Sequence, residues 1–290
     1  MRAEIRTTTL REEAFFFENR GVRLYGMLHH PQGRIRAGNP RSGTGFVFCH
    51  PFGDEAFRTH REIVVYARSL AAMGHHVLRF DCRGCGDSEG DFSLVTLEAH
   101  VSDIRSAITL IKDKCSLSSL GLIGLRFGAA LAAAAAARDE RVDSLILWAP
   151  IVDGKRYFQF LAQSQMAHEL GNFGSVSSSR KSIVKRLEQG GSFDLMANRI
   201  SPELYRELVS FDPWSGAVHK PKNVAVIGFA GAREGLPDLE ILKEKYIDSV
   251  FYLIREKLFW FDKVFQDPME LYKVTTCVLR DFYPDSHEPV

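Results

Sequence analysis

The sequence predicts an α/β protein built on a mostly parallel sheet with helices on both faces. Three observations predict it. Segments of strand and helix character alternate along much of the chain, the central strands are wholly apolar, and polar Gly-containing turns follow them. Strands without a polar face are typical of parallel sheets that are covered by helices on both sides.

The composition is that of an ordinary globular protein. Of the 290 residues 45% are hydrophobic and 25% are charged, which excludes a disordered, collagenous or low-complexity chain. With 37 basic and 36 acidic residues the net charge is +1, so the overall charge gives no support for a general nucleic-acid or acidic-lipid binder. No uncharged apolar run reaches about 18 residues, and we expect no membrane span.

The start of the chain and the cysteines indicate a cytoplasmic location. Acidic residues and threonines occupy the N-terminal stretch, where a signal peptide needs an apolar core. The five cysteines are odd in number and scattered, which favours reduced thiols. Cys82 and Cys85 form a C-x-x-C, but the pair lies in a strand-to-loop turn and no second pair follows, so we expect neither a redox nor a zinc site. We expect no cofactor and no metal.

The first half of the chain begins with a hairpin and then alternates. Strands are predicted at 13–17 and 22–28 around a turn at 19–21, followed by a basic Gly/Pro-rich loop at 31–45. The alternating part has strands at 46–49, 76–80, 120–123 and 142–148. Its helices are predicted at 58–73, 96–114 and 127–138 from apolar residues at helical spacing.

The alternation stops after Pro150. Residues 153–218 contain helical stretches, a Gly/Ser-rich piece at 171–179 and no clear strand. Alternation resumes with strands at 224–229 and 249–254 and helices at 237–246 and 267–282. We therefore predict a core formed by residues 1–152 and 219–290, into which residues 153–218 are inserted as a helical lid.

In an open parallel sheet, ligands bind beyond the carboxyl ends of the strands. Three motifs stand at those ends: His50-Pro51-Phe52-Gly53, the run Asp81-x-Arg83-Gly84-x-Gly86-x-Ser88, and Gly124-x-x-x-Gly128. Together with the hairpin they resemble the α/β-hydrolase superfamily, in its serine-aminopeptidase-like branch. The shorter stretches GLRFGAALA, GCGDSEGDF, LWAPIVDGKRY and LFW resemble hydrolases associated with the exosortase systems of exopolysaccharide-producing bacteria.

The resemblance covers about residues 13–282 and implies an α/β-hydrolase fold with about eight strands and a helical lid. It also implies a Ser-His-acid triad, from which this sequence departs. The family's G-x-S-x-G turn holds the nucleophile, but here its central position carries Arg126. A guanidinium stays protonated in proteins and cannot attack a carbonyl carbon.

The other triad positions depart as well. After strand 224–229 the family's acid has only Glu234 and Asp238 as candidates, and neither has the usual spacing. Residues 255–262, where the family's histidine should follow the next strand, contain none, and the next histidine is His287. We assign no catalytic residue and keep His50, Glu234, Asp238 and His287 as candidates. The sequence predicts that the serine-hydrolase mechanism has been lost.

A ligand site is still predicted around the elbow. By resemblance, His50 shapes the oxyanion loop, and the backbone N–H groups of Phe52 and Phe127 would be the oxyanion donors. Trp260, with its aromatic neighbours at 259 and 261, would form a wall. Arg126 needs a negative partner, and we favour a bound anion over an internal carboxylate. The internal candidates are Asp54, Glu55, Glu234 and Asp238.

Three functions are left open. The first is a degenerate α/β-hydrolase that binds a small acyl or carboxylated ligand, with a role in exopolysaccharide or lipid metabolism. The second is an active hydrolase of esters, thioesters or amides, or an acyltransferase, with a non-standard residue set. The third is a scaffold whose lid contacts a protein partner. A homodimer is compatible with each, and no nucleic acid is expected.

Overall fold

The fold of the chain is an eight-stranded, mostly parallel sheet with helices on both faces. The computed structural model describes residues 11–31, 43–195, 198–213, 215, 217–232, 235–246, 248–261 and 266–284, with the backbone alone at 235–239. The sheet order is β1-β2-β4-β3-β5-β6-β9-β10. Its strands are β1 (Glu12–Asn19), β2 (Val22–His29), β3 (Thr44–Cys49), β4 (His76–Phe80), β5 (Ser119–Leu125), β6 (Ser144–Trp148), β9 (Asn223–Phe229) and β10 (Val250–Ile254). The predicted fold class is confirmed.

The hairpin forms the antiparallel edge of this sheet. β1 pairs with β2 from Glu12 opposite His29 to Asn19 opposite Val22, and β2 continues antiparallel onto β4. The strands from β4 to β10 then run parallel. β3 and β6 are wholly buried, which agrees with their wholly apolar centres and with helices on both sides.

The helices follow the predicted order, with small differences in their bounds. The helices outside the stretch between β6 and β9 are α1 (Asp54–Ala72), α2 (Leu97–Lys114), α3 (Phe127–Ala136), α7 (Gly235–Lys245) and α8 (Met269–Phe282). Helix α1 begins four residues before the predicted start, since Gly53 at φ 60° makes the turn and Asp54 and Glu55 fill the first turn. Thr96 caps α2 by accepting from the Ala99 N–H.

The stretch between β6 and β9 is helical with one small hairpin. It contains α4 (Gly154–Phe173), α5 (Arg180–Glu188), β7 (Phe193–Leu195), β8 (Asn198–Ile200) and α6 (Pro202–Ser210). The expectation of no clear strand there is wrong at β7 and β8, because strands of three residues are too short to show alternation. Leu161, Leu204 and Leu208 of this stretch are buried in one apolar cluster with α2 and α3.

The described residues contain no helix that combines the length and the apolarity needed to cross a bilayer. The longest helix, α4, has a polar residue or a glycine at most of its 20 positions.

Candidate functional site

The turn from β5 to α3 has the geometry of a tight nucleophile elbow. Arg126 lies between the two elements with φ 56° and ψ −122°, a sparsely populated conformation with positive φ that costs a non-glycine residue about 1–3 kcal/mol. A Cβ on Gly128 would lie 2.2 Å from the His50 carbonyl oxygen, and one on Gly124 would lie 2.5 Å from the Cα of Ala129. The two glycines are therefore required by close backbone packing.

The Arg126 side chain is buried and meets an internal carboxylate. Its exposed fraction is 1%, and its Nε–H donates to Glu55 Oε1 at 3.1 Å. The hydroxyl of Tyr157 on α4 donates to Glu55 Oε2 at 2.8 Å. The expectation that a bound anion rather than an internal carboxylate neutralises Arg126 is corrected here. The early start of α1 carries Glu55 to the elbow.

Aromatic rings surround the guanidinium. The Arg126 Cζ atom lies 5.0 Å from the ring centroid of Trp260, 5.7 Å from that of Tyr157 and 5.9 Å from that of Phe160. Cations at these distances are attracted to ring faces. The structure thus places Trp260 against Arg126. Phe261, another residue of the predicted aromatic wall, is 42% exposed. Its ring packs on that of Phe160 with a centroid distance of 4.9 Å.

A cavity of about 390 Å³ adjoins this cluster, and Glu55 and Trp260 line it. The remaining lining residues come from α1, α4 and the turn after β10: Asp54, Arg58, Phe160, Leu161, Ser164, Ala167, His168, Gly171, Asn172 and Phe261. Its size is that of a small-molecule site, and it combines apolar walls with a few polar groups. The buried indole N–H of Trp260 has no acceptor among the described residues.

His50 and Phe52 line a second cavity of about 370 Å³, which lies on the other side of the start of α1. The rings of His50 and His60 are stacked at 6.5 Å, and burial lowers the pKa of His50 to about 3. Burial is also the main cause of a raised pKa for Asp81, which lines the same cavity. Phe52 contacts Phe127 at 5.9 Å between centroids. Of the residues predicted to form one site, Trp260 lines the first cavity and His50 and Phe52 line the second, whereas Arg126 and Phe127 line neither.

The remaining candidates are placed as follows. Glu234 and His287 lie outside the described residues, and Asp238 is in α7 at a position whose side chain is not described. Burial raises the pKa of Cys85 to about 12 and that of Cys82 well above its usual value. Thiols held in the protonated form are poor nucleophiles and metal ligands.

The sequence analysis missed the polar side chains that α4 brings to the first cavity. Ser164 and His168 are one helical turn apart and line it together with Asn172. The amide nitrogen of Asn172 lies within hydrogen-bond distance of His168 Nε2, at 2.8 Å. Tyr157, which contacts Glu55, was missed as well. The i, i+4 spacing of Ser164, His168 and Asn172 is the signal that could have found this face.

Residues 44–205 match the family described as serine aminopeptidase, S33, and this is more than half of the chain. The chain belongs to that family. The match contains the elbow, α1 and α4. Two of the three parts that line the first cavity therefore lie within it, and the turn after β10 does not.

One curated relative is the quorum-quenching protein AidA of Acinetobacter baumannii (strain MDR-ZJ06). It is 32% identical over 142 residues, which is 48% of this chain and 43% of that protein. The matched part of the chain thus spans less than half of the relative's length.

Solved structures of similar fold extend over nearly the whole chain. Est1E of Butyrivibrio proteoclasticus, solved with bound ferulic acid, has a TM-score of 0.64 at 16% identity and covers 94% of this chain and 99% of its own. XC6422 of Xanthomonas campestris, described as an α/β serine hydrolase without lid, has a TM-score of 0.61 at 18% identity. The match covers 96% of this chain and 97% of XC6422. These likenesses concern the fold alone.

Proposed function

We propose that this S33-family chain binds a small ligand in the cavity beside Glu55 and Trp260 and has lost serine-hydrolase turnover. The observation that carries the proposal is the buried Arg126–Glu55 ion pair at the nucleophile elbow. The elbow keeps its turn with positive φ, and a guanidinium occupies the position of the attacking hydroxyl. In this proposal the protein is a pseudoenzyme with a degenerate triad, and residues 153–218 form a lid over the site.

The chemistry of acyl transfer supports the loss of turnover. Serine hydrolysis needs a hydroxyl with a base in hydrogen-bond reach. At this elbow the side chain is a cation that is engaged with a carboxylate, and neither property supplies a nucleophile. In a serine protease, removing the nucleophile or the histidine costs about a million-fold in turnover.

The cavity favours a neutral acyl or aromatic ligand over a carboxylate. Asp54 and Glu55 place two carboxylates in its wall, and the Arg58 Nε–H donates to Asp54. Phe160, Trp260 and Phe261 supply the apolar wall. A neutral carbonyl is an acceptor of the kind that the buried Trp260 N–H lacks among the described residues. A role of this protein in exopolysaccharide or lipid metabolism is supported by the resemblance of its short sequence stretches to exosortase-associated hydrolases.

The experiment combines turnover with binding. We expect no hydrolysis of short-chain nitrophenyl esters and no fluorophosphonate label on wild type or on Arg126→Ser. We also expect an octanamide to change the tryptophan fluorescence and octanoate to bind more weakly. Trp260→Phe should abolish most of the change, whereas Trp148→Phe, which does not line the cavity, should preserve it. Stoichiometric labelling of one serine would overturn the loss of turnover. Equal octanamide binding by wild type and a Phe160→Ala/Trp260→Phe variant would overturn the site.

A second candidate function is an active hydrolase with a non-standard residue set. It is favoured by Ser164 and His168, which bring a hydroxyl and an imidazole to the same cavity from adjacent turns of α4. A quorum-quenching activity like that in the name of the relative would belong to this candidate. Ester hydrolysis that disappears in Ser164→Ala and in His168→Ala, but persists in the nearby Ser178→Ala, would establish it in place of the first proposal.

A further inference from the structure

We propose that residues 170–186, the docking segment, bind peripherally to an anionic lipid surface. The segment comprises the end of α4, the loop that follows and most of α5. It combines exposed apolar side chains with a cluster of cations, and the first cavity adjoins it. This inference goes beyond the proposed function and does not depend on a ligand in the cavity.

The apolar part of the docking segment consists of Leu170, Phe173 and Val176. Their exposed fractions are 56%, 75% and 38%, so none of them is used by the core of the protein. Leu170 and Phe173 are one turn apart on α4 and share a face. Glu169 accepts from the backbone N–H of Ser177 at 2.7 Å and from its hydroxyl, and these bonds link the loop that contains Val176 to the end of α4.

The charged part of the docking segment is helix α5. Its nine residues contain four basic side chains and one acidic one, although the whole chain is nearly neutral. Ile183 and Leu187 are buried and anchor one face of the helix in the protein. The cations occupy its remaining, exposed positions, and none of them forms an ion pair with a described residue: Arg180, Lys181, Lys185 and Arg186. Arg180 follows Val176 by four residues, so their Cα atoms are at most about 14 Å apart.

This combination fits a lipid surface that carries negative charge. Apolar side chains can enter the boundary between headgroups and acyl chains, while cations nearby are attracted to the headgroups. Unpaired lysines are depleted from the centres of protein interfaces, which disfavours a protein partner on the same surface. Ala167, His168, Gly171 and Asn172 of α4 line the first cavity directly beside Leu170 and Phe173. Docking in this way brings the cavity to the lipid.

The test is co-sedimentation of the full chain with vesicles and no added ligand. Vesicles of phosphatidylcholine with 30% phosphatidylglycerol, a composition of about one anionic lipid in three, are compared with pure phosphatidylcholine at low and high salt. We expect binding to the anionic vesicles that weakens with salt. Lys181→Gln/Lys185→Gln should weaken it about 30-fold, since each cation near such a surface contributes about fivefold. Phe173→Ser should weaken it about tenfold or more.

The matched control is Met269→Ser/Lys273→Gln on α8. Met269 is also 56% exposed and Lys273 is an exposed lysine one turn later, so the variant removes the same kinds of group from another surface. It should bind like wild type. The proposal is overturned if wild type stays in the supernatant with anionic vesicles at low salt, or if the control weakens binding as much as the docking-segment variants. Because the vesicles contain no ligand, failure here leaves the proposed function untouched, and loss of ligand binding leaves this test unaffected.

Discussion

The buried pair at the elbow gives the sharpest prediction for stability. Arg126→Met replaces the guanidinium by an apolar side chain of similar length and leaves the carboxylate of Glu55, which is 5% exposed, without its cation. Removing one partner from a buried ion pair costs about 3–5 kcal/mol. The loss of cation–π attraction to Trp260, about 1–2 kcal/mol, is partly offset by contacts of the methionine sulfur with the same rings. We expect the free energy of unfolding to fall by about 3–5 kcal/mol.

A second substitution identifies the cause of this loss. Glu55→Gln removes the charge and keeps an acceptor for the Tyr157 hydroxyl, so in the Arg126→Met background it should recover about 2 kcal/mol. In wild type the same Glu55→Gln should destabilise, because it leaves the buried guanidinium without its counter-charge. A destabilising change that becomes stabilising in the presence of the other is the signature of a coupled pair.

The assay is urea unfolding followed by both tryptophan fluorescence and far-UV circular dichroism. The control is Arg138→Met, which breaks a pair with Glu98 at 2.7 Å in which the side chains are 29% and 68% exposed. Exposed pairs contribute at most about 1 kcal/mol. If Arg126→Met costs no more than this control, or if Glu55→Gln destabilises both backgrounds equally, the buried pair does not have the energetic role inferred here.

Three further predictions concern pH, dynamics and packing. Burial and Arg79 lower the pKa of His29 from 6.5 to about 4, so below pH 6.5 the unfolded chain binds more protons than the folded one. As the pH is lowered from 6.5 to 4, His29 should therefore reduce the free energy of unfolding by up to about 1.4 kcal/mol per pH unit, and above pH 6.5 it should have no effect. In His29→Gln the urea midpoint should depend less steeply on pH over this range. Residues 171–177 are all exposed, and hydrogen exchange should be much faster at 171–179 than in strand β5; equal protection would contradict a mobile lid. Gly128→Ala should lower the melting temperature severely or prevent folding, because its Cβ would lie 2.2 Å from the His50 carbonyl oxygen, whereas Gly171→Ala, with nothing within 4 Å, should have little effect.

Much of the fold could be predicted from local sequence patterns. The predicted bounds of the strand at 76–80 are those of β4. The predicted bounds of the other sheet strands, and of the helices outside the stretch between β6 and β9, differ from the observed ones by a few residues. The prediction failed where an element is too short to show a periodic pattern, or where its bounds depend on a contact with a residue far away in the sequence. Strands β7 and β8 have three residues each. The start of α1 depends on the turn at Gly53, and of the two carboxylates in its first turn only Glu55 pairs with Arg126.

The sequence by itself determined the parallel sheet, the two glycines of the turn between β5 and α3 and the arginine between them. These follow from periodicity and from residue identity within a few positions of the chain. Only the tertiary structure decided which group neutralises Arg126, since Glu55 is 71 residues away in sequence and reaches the elbow by helix packing. The tertiary structure also placed Trp260 in one cavity and His50 and Phe52 in another. The start of α1 separates them, and strand and helix periodicity carry no information about the direction in which distant side chains meet.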